Sequence, residues 1–131
     1  MPEVPERLRF SEDHLWIGPA QDAVVEVGVT DYAQQSLGDA IDVRPPDVGA
    51  AITAGDPCGE IESTKSVSDL IAPVTGTVEG RNDALLDAPD LVNSDPYGEG
   101  WILKVKVDPG TLDDQLAHLM DAGTYRRLTG E

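Results

Sequence analysis

The chain has 131 residues, 40% of them hydrophobic, and a formal net charge of -16. That length allows one compact domain with its own core and not two of ordinary size. The charge argues against nucleic acid and anionic membrane surfaces as partners, since phosphate is bound through clustered Lys and Arg, and it suits basic protein surfaces better.

Residues 1–6, with Pro2, Pro5 and two acids, are expected as a loose N-terminal extension; they lack the basic start and apolar stretch of an export or transit signal. Short strands are expected at 8–10 and 15–17, then a β-branched strand over 23–29. Thr30 or Asp31 can cap a helix over 31–37, which Gly38 closes by tolerating a left-handed conformation. Residues 39–43 alternate as a strand, and Pro45, Pro46 and Gly49 make a loop.

Two strands then meet at the polar tip Ser63-Thr64-Lys65-Ser66, with Ile61 before it and Val67, Leu70 and Ile71 after it. Pro73 marks a turn into a strand ending near Val78, and a weak helix is expected within 82–93 around Ala84-Leu85-Leu86. In 101–107, Trp101, Leu103, Val105 and Val107 alternate with Ile102, Lys104 and Lys106, as in a strand with one wet face. Leu112, Leu116, Leu119 and Met120 recur at helical spacing, which predicts a C-terminal helix over 112–122 started by Thr111 or Asp113 and closed by Gly123. The last residues are expected to be helical or frayed.

Many short strands between Gly and Pro turns predict one mainly β domain over 1–131, a small sandwich or flattened barrel with its terminal helix packed against it. A faint internal echo, 57–61 against 73–78, suits a fold of two similar halves. No apolar run approaches the roughly 20 residues of a membrane helix. Cys58 alone cannot form an internal disulfide or a multi-thiolate zinc site, so a reducing cytoplasm suits the chain and Cys58 reads as a small filler. His14 and His118 are far apart and begin no recognisable site, and no motif for hydrolysis, phosphate or dinucleotide binding appears. No catalytic or metal-binding residue is expected. Acid pairs such as Glu60 with Glu62 and Asp113 with Asp114 are read as solvated surface.

The lysines carry more. There are three, and Lys104 and Lys106 are accounted for by the wet face of a strand. A turn lysine is usually a solvated surface residue too, but Lys65 sits at a hairpin tip, where an exposed amine on a rigid frame can be acylated by an enzyme. Schiff-base chemistry needs a depressed amine pKa from burial or a neighbouring cation. The ionisable neighbours of Lys65 in sequence, Glu60, Glu62 and Asp69, favour the protonated form instead.

Three blocks connect this lysine to a family. Gly28-Val29-Thr30-Asp31-Tyr32-Ala33-Gln34 with Leu37-Gly38-Asp39, then Glu62-Ser63-Thr64-Lys65-Ser66-Val67-Ser68-Asp69-Leu70, then Leu91-Val92-Asn93-Ser94-Asp95-Pro96-Tyr97-Gly98-Glu99-Gly100-Trp101 resemble, in order, the glycine cleavage H-protein family. The third block separates that family from the lipoyl domains of 2-oxoacid dehydrogenases. Biotinyl carriers set their lysine between methionines, and none flanks Lys65.

The resemblance implies a small lipoyl/biotinyl-type β-sandwich and a non-catalytic carrier with lipoate in amide linkage on Lys65. Glycine decarboxylase, a pyridoxal phosphate enzyme, would load an aminomethyl group. An aminomethyltransferase would pass the carbon unit to tetrahydrofolate, and dihydrolipoyl dehydrogenase would reoxidise the arm. A lipoate- or octanoate-attaching enzyme would modify Lys65, and a monomer suits a carrier that visits several enzymes. Glu62 and Asp69 are candidates for recognition or arm docking.

One departure stands out. The family usually reads His-Glu-Trp where this chain has His14-Leu15-Trp16, so an acid that could hold the loaded arm is missing, with Asp13 or Glu12 as substitutes. Ser66 replaces the usual small alanine after the lysine. Trp16 and Trp101 are expected as core anchors, with the lining of the arm's cleft as the alternative for both. An H-like relay of octanoyl or lipoyl groups, an unmodified interaction module and an enzyme using the acidic surface remain as competing readings.

Overall fold

The computed structural model describes residues 3–130. In chain order the elements are β1 (Arg9–Phe10), β2 (Leu15–Ile17), β3 (Val24–Val29), α1 (Asp31–Leu37), β4 (Ala40–Arg44), β5 (Ala51–Ile52), β6 (Pro57–Ser63), β7 (Val67–Ile71), β8 (Gly76–Arg81), α2 (Ala84–Asp87), α3 (Leu91–Ser94), β9 (Leu103–Lys106), α4 (Leu112–Ala117) and α5 (Ala122–Thr129). One sheet runs β1-β2-β3-β9-β8-β5 and the other β4-β6-β7, all paired antiparallel. Both sheets are open, so of the two expected forms the chain takes the sandwich and not a closed barrel. The echoing segments 57–61 and 73–78 contribute to different sheets.

Period-two patterning sets the core. Val25, Val27 and Val29 of β3 meet Val43 of β4, Ile61 of β6 and Leu70 of β7 in one apolar cluster. On β9, Leu103 and Val105 face in while Lys104 and Lys106 face out, with Lys104 opposite Glu26 in register. Ile102, expected on the wet face, is buried beside Leu103, so the alternation starts only at Leu103. The Asn82 Nδ2 donates to the carbonyls of Glu99 and Trp101 and shapes that irregular entry.

Trp16 is a core anchor as expected: it is buried, and its indole Nε1 donates to the Pro96 carbonyl at 2.8 Å. Gly28 lies under that indole, where a Cβ would come within 2.6 Å of Nε1. Trp101 differs. It is only half-buried, and Lys104 Nζ stands 5.0 Å from its ring centroid.

The helix expected over 112–122 is divided. Phe10 and Met120 exchange backbone hydrogen bonds, which pulls residue 120 out of the helix and onto the edge of β1. Asp121 then accepts from the Thr124 N–H as an N-cap, and Gly130, not Gly123, closes α5. The apolar spacing was shared between a helix and a bridge. The weak helix of 82–93 is likewise two single turns with Pro89 between them.

Residues 1–6 are not loose over their described part; Met1 and Pro2 lie outside the described residues. Val4 is buried, and its carbonyl accepts from Arg126 Nη2, which also pairs with Glu6 at 2.7 Å. The Tyr97 hydroxyl donates to the Glu3 carbonyl and accepts from the Asp31 N–H. Among the described residues no helix is long and apolar enough to cross a membrane.

Candidate functional site

The hairpin tip is built from Ser63 outward. β6 and β7 pair through Glu62 opposite Val67, and the Ser63 N–H donates to the Ser66 carbonyl at 2.8 Å to close a two-residue turn over Thr64 and Lys65. The Ser63 hydroxyl donates to the same carbonyl and accepts from the N–H groups of Lys65 and Ser66, each at 3.2 Å. Thr64 N–H donates to the Asp39 carbonyl at 3.0 Å and ties the tip to the start of β4. Lys65 itself is exposed.

Its stem lies along Gly38, the residue that ends α1 at φ 79°, where a Cβ would meet Lys65 Cε at 3.3 Å. The missing side chain there leaves a cradle for the lysine. Lys104 runs more loosely past Gly80, where a Cβ would meet its Cβ and Cδ at 3.9 Å, and it lies on a strand face beside Trp101, not at a turn.

Beside the hairpin, α1 and β7 enclose a cleft of about 210 Å³. Its apolar lining includes Leu15, Leu37, Ile61 and Leu70, and its polar groups include Asp13, His14, Tyr32 and Asp69. The cleft begins at Ser68, three residues beyond Lys65 along the chain. Leu15 is buried within this lining, so the departure at that position falls inside the cleft. Of the two expected substitutes, Asp13 lines the cleft and Glu12 lines a separate groove under α4.

Asp69 stands opposite Glu60 in register, on the side of the β6–β7 hairpin that also carries Glu62. Asp69 lines the cleft, whereas Glu62 accepts from Arg44 Nη2 at 3.1 Å. Arg44 also holds Asp42 at 2.8 Å and Glu60 at 3.3 Å, making a predominantly acidic face beside the tip.

Sequence reasoning set His14 aside, yet it is part of the cleft. Its Nδ1 lies 2.8 Å from the Tyr125 hydroxyl, which lies 2.7 Å from Thr30 Oγ1, the N-cap of α1. Burial pushes the His14 imidazole below its ordinary value, with Asp13 opposing, so the neutral ring is the form favoured here. Cys58 is half-buried and its thiol is pushed up by burial, which suits a filler.

The family model for the glycine cleavage H-protein matches residues 8–131. The chain belongs to that family. It is 52% identical over 131 residues to the glycine cleavage system H protein of Mycolicibacterium smegmatis, covering all of both chains. It is 53% identical over 126 residues to that of Mycolicibacterium gilvum, covering 96% of each. The crystal structure of a glycine cleavage system H protein from Mycobacterium marinum superposes with a TM-score of 0.87 at 38% identity, over 98% of this chain and 100% of that one. This H-protein family member therefore presents its tip lysine and cleft on a sandwich shared with a solved relative.

Proposed function

We propose that the chain is the lipoyl carrier of glycine cleavage, modified on Lys65. The observation that carries this reading is Lys65 at a braced two-residue tip, its stem in the cradle left by Gly38 and a mostly apolar cleft beginning at Ser68. At a strand rise of about 3.3 Å per residue, the four residues from Lys65 to Asp69 span at most about 13 Å, and less through the turn, within the span of a lysine lengthened by an eight-carbon acyl chain. That fit supports lipoate as the group held.

Held in amide linkage on Lys65, lipoate would supply a disulfide as electron acceptor and a sulfur to carry an aminomethyl group, and glycine decarboxylase, the aminomethyltransferase and dihydrolipoyl dehydrogenase are the partners that chemistry would require. The chain's own residues do the rest. Ser63 and Asp39 fix the tip, the cleft's apolar lining excludes water, and Asp69 and Asp13 offer carboxylates to a cationic cargo. The acidic face around Arg44, with Glu62 in it, offers complementary charge to a basic partner surface. A monomeric carrier in the cytoplasm suits this task.

Reconstitution with the three partner enzymes tests the reading. The lipoylated chain should sustain glycine-dependent release of carbon dioxide and a Lys65→Arg variant should not; equal turnover would contradict it. A second reading, a carrier that relays octanoyl or lipoyl groups to other enzymes, is favoured by Leu15 in the cleft. Failure to complement a strain lacking its H protein, with transfer of lipoyl groups intact, would select that reading.

A further inference from the structure

We propose that Asn93 is a positioning residue for the acylation of Lys65, acting from α3 through the turn between α1 and β4. The inference rests on Lys65 being the modified lysine. Three hydrogen bonds converge on the Asn93 carboxamide. Nδ2 donates to the Gly38 carbonyl at 2.8 Å and to Gln34 Oε1 at 3.2 Å, and Oδ1 accepts from the Ala40 N–H at 2.9 Å. The partners fix the orientation of the amide, since two oxygens face its nitrogen and one N–H faces its oxygen.

Asn93 therefore pins the chain on both sides of Asp39. The Asp39 carbonyl accepts from the Thr64 N–H at 3.0 Å, and Gly38 cradles the Lys65 stem. Both of these supports, which reach the tip from outside the hairpin, belong to the segment that one side chain holds. An aspartate would keep the acceptor for Ala40 but set a carboxylate oxygen against the oxygens of Gly38 and Gln34. The adjacent Val92 is fully buried and anchors α3 to the core, which separates the anchoring of this turn from the bonds that reach the tip.

The test uses the full unmodified chain with a lipoate-attaching ligase, octanoate and ATP, following octanoylation by intact mass. Asn93→Asp is expected to lower kcat/KM for octanoylation about three- to ten-fold, the range for loss of one typical hydrogen bond. Amide exchange at Thr64 should quicken by a similar factor while Val105 keeps its protection. Asn93→Ala, which adds no charge and remains usable if the aspartate variant fails to fold, should show both effects. Val92→Ala should lower the melting temperature without slowing octanoylation.

Wild-type rates in either folded Asn93 variant would overturn the proposal, as would rates that fall in step with melting temperature across all three variants. A wild-type chain that gains no octanoyl group, or a Lys65→Arg variant that gains one equally, would instead overturn the reading of Lys65.

Discussion

His14 Nδ1 and the Tyr125 hydroxyl lie 2.8 Å apart, joining the cleft to the C-terminal helix α5. Because burial lowers the folded-state pKa of His14 below 6.5, the unfolded chain binds more protons just below that value. The stability tied to neutral His14 is complete above about pH 6.5 and is lost as pH falls toward and through the lowered folded value. Asp13 opposes part of the shift. Melting temperature should therefore drop more between about pH 7.5 and about pH 5 in the wild type than in His14→Gln. Parallel profiles would show that His14 is not the group responsible.

The same hydroxyl bridges His14 and Thr30. Tyr125→Phe keeps the stack on Phe10, whose ring centroid is 4.7 Å away, but removes that bridge. Urea unfolding should show a loss of about 1–3 kcal/mol, the usual effect of leaving buried polar groups short of a partner.

Gly28→Ala should cost about 1–3 kcal/mol by overpacking. The new methyl would meet the Trp16 indole and disturb its hydrogen bond to Pro96. A changed tryptophan emission at equal lysine acylation is the expected signature, because the atoms the new methyl would meet are those of the Trp16 indole and not of the Lys65 turn.

On the proposed function, the cleft's carboxylates would set how long a cationic cargo stays. Decay of the methylamine-loaded carrier should be faster in Asp69→Asn and slower in Leu15→Glu than in the wild type. The glutamate replaces a buried leucine, so its stability should be measured alongside. Equal lifetimes in all three chains would remove the cleft from the account.

The strands were legible because alternation and β-branching report directly on which face is buried, as in β3 and β9. Lys65 stood out in the sequence because the other two lysines had an ordinary role and because it lies in the second of three ordered blocks that resemble the family. The split between α4 and α5 was not, since Met120 satisfies helical spacing while its backbone pairs with Phe10. Nor was the part of His14 or Asn93. Their partners, Tyr125 at 111 residues' separation and Gly38 at 55, are brought near only by the fold. For Asn93 the one signal was its place in the third block.

Lys65 as the bearer of the lipoyl group is the proposal on which the others depend. Intact-mass analysis and peptide mapping of the chain purified from its native host, under conditions where lipoate synthesis is active, test it most directly. A single lipoyl group on the peptide containing Lys65, absent from Lys65→Arg, is the predicted result. A fully unmodified Lys65, or the group on Lys104 or Lys106, would contradict it.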